Sequence, residues 1–127
     1  MLSLEMMELD VQRDMDLVRE LLLQIEEDRQ LIGKEAVSLP VKHGDRKEVE
    51  YVFALLIRQG FVTGNMTLGV PMVSGLTWGG HDLLDNIRDP GVWEKVKEHA
   101  MTIASVSIPI LAELAKAEVK RRLGLST

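Results

Sequence analysis

From Gln59 to His81 the chain carries no Asp, Glu, Lys or Arg, although charged residues make up 28% of the whole. A stretch without charge has little to hold it in water, so it must pack inward, fold back on itself or meet another surface. It does not read as a membrane helix. No apolar run in the chain reaches the about 18 residues that a span requires, and Gly60, Gly64, Gly69, Pro71 and Gly75 punctuate this one. Glycine and proline between short runs of Val, Thr and Met read instead as a β-hairpin over 61–76. Phe61-Val62-Thr63 leads to Gly64-Asn65, and Met66-Thr67-Leu68 follows. Gly69-Val70-Pro71 then interrupts, and Met72 to Leu76 forms the return strand.

The flanking segments have the period of helices. Met15, Val18, Leu22 and Ile25, with Leu17 and Leu21 beside them, form an apolar stripe that predicts a helix over 13–27. Val49, Val52, Phe53, Leu56 and Ile57 predict a second helix over 46–59, closed by Gly60 as a left-handed cap. Between them Val37, Leu39 and Val41 alternate with Ser38 and Pro40, which predicts an extended segment over 36–42. Thr77 is a candidate cap for a helix carrying Leu83, Leu84 and Ile87. Asp89-Pro90 is a stronger start signal, opening a helix over 90–103. Ser107 opens a last helix with Ile108, Leu111, Ala115 and Val119 on one stripe, ended by Gly124. The two helical stripes before the hairpin, with Leu83, Leu84 and Ile87, are the expected core. Trp78 and Trp93, each opening a helix, are expected to pack at helix junctions.

The chain has 127 residues and a formal net charge of −5, an ordinary size and balance for one globular domain. The charge is uneven: residues 1–30 hold nine acids against three bases, whereas Lys116, Lys120, Arg121 and Arg122 make a basic cluster near the end. There is no cysteine, which excludes disulfides, thiolate zinc sites and a cysteine nucleophile, and fits a reducing, cytoplasmic setting. Gly-x-Ser-x-Gly, the phosphate loop and the dinucleotide fingerprint are all missing. His81 and Asp85 lie four apart, a spacing that one metal ion can bridge, but with no second histidine nearby they read as polar surface. No catalytic, cofactor or metal-binding residue is assigned, and the chain is read as a non-enzyme.

The order of helix, extended piece, helix ending in Leu55-Leu56-Ile57-Arg58-Gln59-Gly60-Phe61-Val62, hairpin and further helix resembles a winged helix. Residues 46–59 would then be the recognition helix and 61–76 the wing. The stretches 13–19, Leu76-Thr77-Trp78-Gly79-Gly80-His81-Asp82-Leu83-Leu84-Asp85 and 87–93 also resemble a family of small phage- and prophage-associated bacterial proteins, a domain of unknown function. That family implies no activity and no catalytic residues. Two departures from a winged helix stand out: the helix expected between the first and the recognition helix is replaced by the extended 36–42, and the wing has no cation for phosphate.

The fold class expected is therefore mainly α with a small β-hairpin (α+β), a winged-helix-like domain followed by two C-terminal helices. One domain is expected over 1–127, divided into an N-terminal extension (1–11), the winged-helix-like core (12–88) and a helix pair (89–124). The function expected is association with protein, as a homodimer or with a partner, without membrane or cofactor. Met66, Leu68, Val70 and Met72 on the wing are interface candidates, because alternate residues of a strand cannot all face one core. Leu114 and Leu123, off the buried stripe of the last helix, are candidates too. The alternative is a winged-helix DNA-binding transcriptional regulator, with Lys42, Arg46 and Lys47 as the DNA contacts; the acidic balance and uncharged wing weigh against it.

Overall fold

A computed structural model describes residues 10–27, 34–35, 42–68 and 70–125. The described residues form two compact units, one over 14–81 and one combining 10–13 with 82–125. The fold is α+β, mostly helical with an antiparallel hairpin.

In the first unit, α1 (Met15–Glu27) follows a single 3-10 turn at Gln12–Asp14 and buries Met15, Leu17, Val18, Leu21, Leu22 and Ile25. The helix α2 (Arg46–Arg58) buries Val49, Val52, Phe53, Leu55 and Leu56. Both apolar stripes lie inward, as their spacing predicts. Local chemistry sets the ends of α2. The Asp45 side chain accepts from the Glu48 N–H at 2.9 Å while Glu48 reaches back to the Asp45 N–H, a capping box. At the other end Gly60 has φ +82°, its N–H donates to the Ile57 carbonyl, and the Phe61 N–H donates to the Leu56 carbonyl. These are the two bonds of a Schellman motif, and the buried Phe61 and Leu56 supply its apolar contact.

The hairpin consists of β2 (Val62–Thr67) and β3 (Val70–Leu76), in register from Val62 opposite Leu76 to Thr67 opposite Val70. Gly64 and Asn65 lie inside β2, beside a bulge that follows Thr63, and the chain reverses after Thr67, next to the interruption expected at 69–71. Leu68 there has φ +52°, the left-handed conformation that a tight turn demands. Gly64 serves a different purpose: a Cβ at that position would collide with the Met72 carbonyl oxygen. The short β1 (Lys34–Glu35) pairs antiparallel with β3 at Val73 and Met72, so the sheet order is β1-β3-β2. The strand among the described residues thus precedes the expected segment at 36–42, of which 36–41 lie outside the described residues.

The helix α3 (Trp78–Ile87) begins in the first unit, where the Gly80 N–H donates to the Thr77 hydroxyl oxygen at 3.0 Å. In the second unit its Leu83, Leu84 and Ile87 are buried. There α4 (Pro90–Ala100) packs against α5 (Ile108–Arg122). Asp89 accepts from the Gly91 and Val92 N–H groups and Ser107 accepts from that of Ile110, as their sequence positions predict. The helix α4 stops at Ala100, short of the expected 103, where the bonds tighten to Thr102 N–H on the His99 carbonyl and Ile103 N–H on the Ala100 carbonyl, and a distant side chain also reaches this end. Gln12 Nε2 donates to Ala100 O at 3.0 Å and Ile103 O at 2.8 Å. Asp10 accepts from the Val106 N–H, and the Val11 N–H donates to the Val106 carbonyl, so the start of the described chain is stitched to the loop before α5.

Candidate interaction surfaces

The tip of the hairpin is apolar and open. Leu68 is 99% exposed and Met66 43%, while Met72 is half-buried. Val70 is placed by its backbone opposite Thr67, and its side chain lies outside what is described. A leucine in the left-handed region costs about 1–2 kcal/mol relative to ordinary backbone, and with its side chain in water it recovers none of this by burial. The wing candidates Met66 and Leu68 therefore do project outward, next to each other at the turn. Leu114 and Leu123 belong to the second unit, where Leu114 is half-buried and Leu123 exposed.

The turn before α2 is held by a carboxylate from α1. Glu20 accepts from the Lys42 N–H at 2.8 Å and the His43 N–H at 3.0 Å, and its Oε1 lies 3.3 Å from His43 Nδ1. Burial pushes the Glu20 carboxyl up, but these hydrogen bonds and the nearby imidazole outweigh burial and hold it below its usual value. The side chains of Lys42, Arg46 and Lys47 are exposed. They are not equivalent, because Arg46 Nε lies 3.5 Å from Glu50.

Of the two tryptophans only Trp93 is buried, with Lys97 Nζ 5.7 Å from its ring centroid. Trp78 is 88% exposed, contrary to the packing role expected of it. The glycine after next explains why. The first turn of α3 sits so close to Phe61 that a Cβ at Gly80 would strike the Phe61 carbonyl, so the turn packs through Gly80 and Trp78 faces out. The sequence separates the two rings in part: Trp93 shares its helix with the apolar Val92, Val96 and Ala100, whereas His81, Asp82 and Asp85 follow Trp78 at helical spacing.

The basic cluster on α5 is organised around a carboxylate that spacing assigns to no core. Glu118, only 4% exposed, accepts from Arg121 Nη2 at 2.7 Å and from Arg122 Nε at 2.9 Å. Hydrogen bonds from Arg121 and then Arg122 hold its carboxyl at about 2, against the opposing effect of burial. Glu118 takes the inward position expected of Val119, which is half-buried. Asp89 is likewise held below its usual value, first by the Val92 and Gly91 N–H groups, with a smaller contribution from the Arg122 charge. His81 and Asp85 are both exposed on α3, with Asp85 bonded to Arg88 at 3.2 Å. No group of three His, Asp or Glu side chains among the described residues is arranged to hold a metal ion.

The profile of one protein family matches residues 12–107, from the Gln12 that caps α4 to the Ser107 that caps α5. The chain belongs to that family, described as Hypothetical protein (DUF2513). The stretches around 13–19, 76–85 and 87–93 all lie within the matched span. A relative from Haemophilus influenzae strain Rd, described as "Uncharacterized protein", is 32% identical over 115 residues, covering 84% of this chain and 90% of the relative. No solved structure matches significantly. The family description indicates no enzymatic activity. No helix among the described residues is long and apolar enough to cross a membrane.

Proposed function

We propose that this member of the family acts by association, as a non-enzymatic, phage-associated interaction module, with the hairpin tip as its docking element. One observation carries the reading: Leu68 stands fully in water, in a backbone conformation leucine avoids, beside the exposed Met66. Isolated strain at an exposed apolar residue is the mark of a side chain placed for a partner. The simplest partner is a second copy, giving a homodimer at micromolar concentration. Light scattering tests this. The expected mass is twice 14.3 kDa, reduced to one chain by Leu68→Asp or Met72→Glu. A strict monomer that none of Leu68→Asp, Met72→Glu and Leu114→Glu alters would sink self-association.

A second reading is supported by the sheet. The chain order α1, β1, α2, β2, β3, with β1 beside β3, agrees with the strand order of a winged helix and supports that reading. In that fold α2 is the helix that enters the DNA major groove, which makes the alternative a DNA-binding transcriptional regulator. Its test is the experiment set out below.

A further inference from the structure

We infer that Lys47, Tyr51, Ala54 and Arg58, on the outward face of α2, form a surface for duplex DNA; the inference rests on the winged-helix reading. The spacing of four, three and four residues puts these side chains on one stripe of the helix. It lies opposite the stripe that buries Val49, Val52, Phe53 and Leu56. Lys47 and Arg58 are exposed, and Tyr51 and Ala54 between them are half-buried.

The charge of α2 looks cancelled in the sequence, where Asp45, Glu48 and Glu50 face as many bases. The structure separates them. Asp45 and Glu48 are committed to each other's backbone in the capping box, and Glu50 lies against Arg46. Every acid at or in α2 thereby has a partner away from the 47/51/54/58 stripe, which carries two cations and no carboxylate. The sequence-based choice of Lys42, Arg46 and Lys47 changes accordingly: Arg46 is matched by Glu50, and Arg58 takes its place.

The dimensions suit a duplex. Eleven residues at 1.5 Å rise put the Lys47 and Arg58 backbones about 16 Å apart. A helix crossing a major groove about 12 Å wide then brings one long cationic side chain toward each bordering phosphate strand. Between them Ala54 lets the helix approach and offers a methyl to a thymine methyl. A single strand is a poorer match, because such sites stack bases on several aromatic rings and this stripe has one.

The test uses the full chain and a fluorescently labelled duplex of mixed sequence, read by anisotropy across a salt series. The wild type is expected to bind more weakly as salt rises. The double variant Lys47→Gln/Arg58→Gln should bind at least about tenfold more weakly at low salt and lower the salt slope by about two, one per lost phosphate contact. The charge-neutral pair Arg46→Gln/Glu50→Gln should bind like the wild type. Ala54→Glu, a good helix former that puts a carboxylate in the stripe, should abolish binding while circular dichroism shows an unchanged fold. If the wild type binds and the double variant binds equally well, the stripe is wrong and the winged-helix reading survives. If the wild type binds no duplex even at low salt, both fall and association through the hairpin tip stands alone. Loss of self-association in the double variant without any DNA binding would assign the stripe to a protein partner and overturn the inference.

Discussion

Replacing Leu68 by glycine should separate the stability of this protein from its association. Leu68 has φ +52° and is 99% exposed. Its side chain therefore contributes almost no burial, and removing it costs essentially nothing on that account. Glycine relieves a left-handed penalty of about 1–2 kcal/mol. Against this, glycine loosens the unfolded chain and costs about 0.4–1 kcal/mol. The balance runs from near zero to about 1.5 kcal/mol in favour of the variant. Urea denaturation of Leu68→Gly, at a protein concentration where the wild type is monomeric, should show a midpoint equal to or above that of the wild type, with the same slope. Light scattering of the same variant at higher concentration should show the dimer lost. A midpoint lowered by the equivalent of more than about 1 kcal/mol would refute the reasoning, because it would mean that the leucine side chain packs on its own chain.

Three further predictions address the core, the acid limb and the tryptophans. Leu22→Ala and Leu56→Ala, both at fully buried positions, should each lower stability by about 2–5 kcal/mol, and an unchanged denaturation midpoint in both would displace the core from these helices. Because the folded-state value for Glu118 lies below the ordinary 4.5 at about 2, its contribution is complete above pH 4.5 and is lost as pH falls toward 2. Glu118→Gln should therefore flatten the acid limb of the stability profile over that window; an identical limb in wild type and variant counts against the arginine clasp. Acrylamide should quench Trp78 readily and Trp93 poorly, so Trp78→Phe should leave a single, protected, blue-shifted emission. Emission that stays fully quenchable in that variant would place Trp93 at the surface.

The local signals were those the sequence could state by itself. The apolar stripes of α1 and α2 are periodic, and periodicity follows from helix geometry alone. Asp89, Ser107 and Gly60 act within one turn of their own position, so their cap roles need no tertiary information. The uncharged run from Gln59 to His81 likewise announced a hairpin, and within it the α+β class. The interruption at Gly69-Val70-Pro71 marks the neighbourhood of the turn, but the ladder from Val62–Leu76 to Thr67–Val70 sets where the chain reverses and puts Leu68 in the left-handed region. Three other features also depended on residues distant in sequence or on which groups face each other. Gln12 donates to the Ala100 and Ile103 carbonyls from about ninety residues away. Gly80 meets the Phe61 backbone and leaves Trp78 outside. Glu118 is buried while the exposed Arg121 and Arg122 reach back to its carboxylate. The sequence by itself determined the helices, their caps and the presence of a hairpin, since each is written within a few residues. Only the tertiary structure decided which residue takes the strained turn position, that Glu118 is buried and which charges pair, since burial and ion pairing depend on the neighbours that the fold brings together.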